Sequence, residues 1–111
     1  MELDFSKRLR VAIDKIESVG SEYGDAKALS WLLQEQRKVV LASEIAKIDG
    51  GSYAEKERQA LCSEAYKVHL EGTKEAIADE HRLKASYERW SYEFEALRSL
   101  LSLEKKKIEL L

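Results

Sequence analysis

Apolar residues recur along this chain at intervals of three and four, the spacing of one helix face. Phe5, Leu9, Ala12, Ile13 and Ile16 predict a first helix over 6–18, with Asp4 or Ser6 placed to cap its start. Gly20 and Gly24 bracket the polar stretch Gly20-Ser21-Glu22-Tyr23-Gly24, which reads as a turn. A second helix is expected over 25–48, with Asp25 as its N-cap. One face of it carries Ala28, Leu32, Val39, Ala42 and Ala46, widened by Leu29, Leu33, Val40 and Ile45, with Trp31 beside it. Asp49-Gly50-Gly51 should stop that helix, because glycine accepts the left-handed backbone that ends one.

Ser52-Tyr53-Ala54-Glu55 then matches a capping box and starts a third helix over 53–109. Its stripe runs from Leu61, Ala65 and Val68 through Gly72, Ala76 and Leu83 to Ile108, at a spacing near 3.5 residues, which favours a supercoiled seam. Gly72 is the expected weak point, where the helix could kink or split, but the stripe keeps phase across it, which favours continuity or a mild bend. The fold class is therefore all-α: three helices, the long C-terminal one amphipathic and forming a helical hairpin or coiled-coil-like oligomer. A continuous third helix would be roughly 85 Å long, against roughly 36 Å and 20 Å for the others. The shorter helices could not cover its stripe, so self-association is expected through Leu83, Trp90, Phe94, Leu97, Leu101 and Ile108.

Composition narrows the classes. The 111 residues suggest one domain, and the absence of proline permits long uninterrupted helices. No apolar run is long enough to span a bilayer, and MELDFSKRLR lacks the apolar core of a secretory leader, so neither a membrane nor secretion is expected. Cys62, the single cysteine, cannot form an internal disulfide and reads as a buried or half-buried thiol in a reducing, cytoplasmic setting.

Candidate chemistry is sparse. His69 and His81 lie twelve residues apart, too far along one helix to grip a single metal. Cys62 and His69 are too far apart for a nucleophile and base, and no glycine-rich phosphate loop is present. No catalytic residue, metal ligand or cofactor is assigned, and an enzyme is not expected. The net charge of −2 lacks the basic excess of a dedicated DNA-binding domain. Any nucleic-acid site must come from sorting charges onto one face, or from repeating a modest patch around an oligomer. The candidate patch is Arg37 and Lys38, with Lys27 and Lys47 on the same helix.

The order Ser30-Trp31-Leu32, Arg37-Lys38-Val39-Val40-Leu41-Ala42, a Gly-Gly turn and Tyr53-Ala54-Glu55-Lys56-Glu57 leads into a long amphipathic helix. That helix holds Ala65-Tyr66-Lys67-Val68 and the run from Tyr87 to Leu97. This pattern resembles the helical accessory proteins encoded near tailed-bacteriophage recombination genes, and among them the UvsY recombination mediators. The resemblance implies a ring-forming protein without enzymatic activity that binds single-stranded DNA and helps load a recombinase in the cytoplasm of a bacterial host. It places the nucleic-acid face at Arg37 and Lys38 and the oligomer interface in the C-terminal half of the third helix. The alternative is a helical protein-interaction module, such as a phage inhibitor of a host defence complex or an assembly adaptor.

Overall fold

The computed structural model describes residues 2–110, with side chains from residue 4 onward. It is all-helical among these residues: α1 spans Glu2–Ala46, α2 Tyr53–Leu61 and α3 Glu64–Leu110. The chain divides into two compact units, one formed by residues 1–24 and 81–111, the other by residues 25–80.

The two expected N-terminal helices are one. α1 continues for 45 residues, so Asp4, Ser6 and Asp25 lie inside it and cap nothing. Gly20 and Gly24 cost helix stability, about 1 kcal/mol each against alanine, yet they do not break it. Val19, Gly20 and Tyr23 are half-buried. The Tyr23 ring packs on Tyr87, centroids 6.0 Å apart, and Tyr87 also lies against the bare backbone of Gly20. Burial of this polar-looking stretch outweighs its turn propensity.

The first unit is an antiparallel pair of helical segments. From α1 it takes Phe5, Leu9, Ala12, Ile16, Val19 and Tyr23, and from α3 Leu83, Tyr87, Trp90, Phe94, Leu97 and Leu101. Both sets alternate between three- and four-residue steps, the spacing of knobs-into-holes packing. Phe5 shares a groove with Leu101 and Ile108, Ile13 and Ile16 share another with Phe94, and Arg8 bridges to Glu93 at 3.0 Å. Low numbers on α1 meet high numbers on α3. Ala12 and Leu97 are fully buried.

The second unit begins with Asp25 and contains the turn, α2 and the start of α3. Gly50 and Gly51 adopt φ of 77° and 89°, the left-handed stop expected of them. Ser52 caps α2 by accepting from the Glu55 amide at 3.3 Å. The interruption that follows lies at Cys62–Ser63, not at Gly72, which sits within a continuous α3. Ser63 explains the position. Its hydroxyl accepts from the Tyr66 amide and donates to the Ala60 carbonyl, satisfying the start of α3 and the end of α2 together. Cys62 is exposed at this joint, contrary to the buried thiol expected.

The second unit's buried face also differs from the expected one. Ala28, Leu32, Val39, Ala42 and Ala46 are all exposed, whereas Leu33, Val40 and Ile45, expected to widen the stripe, are half-buried together with Ala26, Leu41 and Glu44, and Ser30 is buried. Leu61 at the end of α2 and Ala65 and Val68 on α3 are exposed, while Tyr66, His69, Thr73 and Ala76 turn inward. Polar groups occupy inward positions because each finds a partner. Ser30 accepts from Gln34 at 3.0 Å, His69 donates from Nε2 to the Leu33 carbonyl at 2.8 Å, and Thr73 donates to the His69 carbonyl at 2.8 Å. The carbonyl can only accept, so the Nε2 of His69 carries a proton.

Candidate nucleic-acid interface

The four cations expected on one helix do not share a face. A helix turns by about 100° per residue, so Lys27 and Lys38, eleven residues apart, align within about 20°. Arg37 lies about 100° away from Lys38. Lys47 lies beyond the end of α1 and pairs with Glu44 at 3.0 Å. What the fold does bring together is a different set. Arg37 and Lys38 line a groove of 580 Å³ with Lys74 of α3, and Gln34, Glu35, Leu70, Thr73 and Ile77 complete its wall.

The groove suits an anion with an apolar part. Among the described residues, no ion pair joins Arg37, Lys38 or Lys74 to a carboxylate, whereas Arg8, Lys47, Arg98 and Lys107 each have an acidic neighbour. Leu70 and Ile77 offer an apolar surface beside the three cations. Glu35 is the one acid in the lining and lowers the local positive potential. Lys74 was missed in the sequence because the inward face of α3 was placed one position off. Leu70, Lys74 and Ile77, at steps of four and three, are the signal that identifies it.

The expected oligomer residues are placed within the first unit. Leu97 is buried, Leu83, Trp90, Phe94 and Leu101 are half-buried, and Ile108 is exposed. Phe94, Leu97 and Leu101 belong to the seam with the α1 segment of the same chain. The length mismatch behind the expected self-association does not exist, because α1 has 45 residues and α3 has 47. Tyr87 is occupied by Tyr23, Arg89 lies 5.8 Å over Trp90, and Tyr92 projects freely at 73% exposure.

Among the described residues no group of three or more histidine, cysteine or acidic side chains could hold a metal ion, and no helix is long and apolar enough to cross a membrane. Neither a protein-family model nor a curated protein nor a solved structure matches this chain.

Proposed function

We propose that this chain is a non-enzymatic helical protein that binds single-stranded DNA in the groove of its second unit. The observation that carries this reading is the meeting of Arg37, Lys38 and Lys74, none of them in an ion pair among the described residues, beside Leu70 and Ile77. Phosphates would meet the cations and release counterions, and unstacked bases would lie on the apolar wall. The resemblance to UvsY-like mediators extends the proposal to assistance of homologous recombination, by helping a recombinase onto the strand in the cytoplasm of a phage-infected bacterium. The chain is net acidic, so one groove binds weakly and repetition around an assembly would raise the effective affinity.

Fluorescence anisotropy with a labelled oligonucleotide tests the reading. Three phosphate contacts on a single strand give a log–log salt slope of roughly −2. Arg37→Glu combined with Lys74→Glu should abolish binding at low salt while far-UV circular dichroism stays unchanged. Absence of binding by the unaltered protein at low salt sinks the proposal.

A second reading, a helical protein-interaction module, is favoured by the exposed Leu29, Trp31, Leu32 and Val39 of α1. The two part on Leu29→Asp, an exposed position outside the groove. That change leaves oligonucleotide affinity intact in the first reading and abolishes binding of the partner protein in the second.

A further inference from the structure

The segment of α1 in the second unit has two faces. One, through Ser30, Leu33 and Val40, turns inward. The other carries Ala28, Leu32, Glu35, Val39, Ala42 and Ala46, every one of them exposed, at steps of four, three, four, three and four. That alternation is the seam of a second coiled coil, and it runs for roughly 27 Å at ~1.5 Å per residue. Leu32 and Val39 are 45% and 68% exposed, and Trp31 beside them 64%. A stripe with this period is matched by another helix of the same period.

We propose that the occupant is a second copy of this chain, its α1 antiparallel to the first about a two-fold axis at the level of Arg37. Glu35 and Lys38 also line the groove, so the two proposals share these side chains, while Leu32 and Val39 belong to the dimer alone. The two-fold axis sets Leu32 against Ala42 of the second copy, Ala28 against Ala46, and Val39 against Glu35. Leu32 thus meets a small residue, and the alanines let the helices approach closely. Charge fixes the direction. Glu35 lies on the same side of the stripe as Lys38, so the axis brings Glu35 of each copy beside Lys38 of the other, two ion pairs in one neutral cluster. A parallel pair in register would set Glu35 against Glu35 in the seam and place Lys38 of each copy on the side away from Lys38 and Glu35 of the other. Because the face is its own partner, the assembly closes at two copies rather than growing into a filament.

Sedimentation equilibrium of the full chain, from low micromolar to submillimolar concentration, tests this. The expected species is a dimer of twice 12.7 kDa. Leu32→Glu with Val39→Glu should give a monomer of unchanged helicity, since both positions are exposed. Glu35→Lys alone and Lys38→Glu alone should each weaken dimerisation by about tenfold, because like charges then face each other. The double variant Glu35→Lys with Lys38→Glu should restore it. That rescue is specific to self-pairing, since a foreign partner would not carry the matching exchange. A monomer throughout the range, a dimer that survives Leu32→Glu with Val39→Glu, or a double variant as weak as the single ones would overturn the proposal. Glu35→Lys also separates it from nucleic-acid binding, because the change adds positive charge to the groove while opposing the dimer.

Discussion

Leu97 is 1% exposed and belongs to the seam of the first unit, where truncation leaves a cavity that close-packed neighbours cannot fill. Leu97→Ala should cost about 2–5 kcal/mol, read as a lowered midpoint in urea. Arg8 offers the contrast. Its bond to Glu93 is 3.0 Å long, but the two side chains are 57% and 39% exposed, so water and salt screen the pair. Its removal should cost well under about 1 kcal/mol. A larger loss for Arg8→Ala than for Leu97→Ala would mean that the seam is not what holds this unit. Leu97 was legible from its place in the 3.5-residue repeat. The identity of its partner was not, because periodicity gives the face that is buried and not the surface that buries it.

The continuity of α1 is the largest difference between sequence and structure at the scale of elements. Two glycines and three polar residues among five read as a turn, and the tyrosine among them was the only sign of burial. The structure makes the glycines unequal. A Cβ on Gly24 would meet nothing within 4 Å, whereas one on Gly20 would stand 3.2 Å from the Tyr87 ring. Gly24→Ala should therefore stabilise the protein by about 0.5–1 kcal/mol through helix propensity and the restricted unfolded chain. Gly20→Ala should gain less or lose, since Tyr87 must give way. Thermal melts of the two variants check this, and equal gains would show that Gly20 makes no close approach to Tyr87. The stops were more legible than the joins. Gly50, Gly51 and the Ser52 cap have local causes written in adjacent residues. Ser63 was visible only as a serine followed by an acid, a weaker form of the same signal.

The two units differ in what fills them, and that difference sets the stability expected across the molecule. The first buries or half-buries Phe5, Leu9, Ile16, Trp90, Phe94, Leu97 and Leu101, side chains worth about 1.5–3 kcal/mol each when fully covered. The second has Ala60, Ala76, Ser30, Thr73 and Tyr66 as its buried residues. Its polar side chains are satisfied: among the described residues no buried side-chain nitrogen or oxygen lacks a partner. Satisfied hydrogen bonds contribute only about 0.5–1.5 kcal/mol net, and small side chains bury little area. This is also why the first unit was readable and the second was not. Large apolar residues mark an inward face by themselves, whereas Ser30, His69 and Thr73 look like surface until their partners are placed. The same misreading hid Lys74, and with it the groove. Native-state hydrogen exchange should therefore show slower amides in 8–20 and 84–100 than in 28–42 and 66–78, because local opening follows the density of buried apolar contact. Uniform protection along both long helices would contradict this and would mean that the polar interior of the second unit is as costly to open as the apolar seam of the first. Slow exchange confined to 28–42 that appears only at high protein concentration has a different cause, because it would report the outer face of α1 being covered by a second copy.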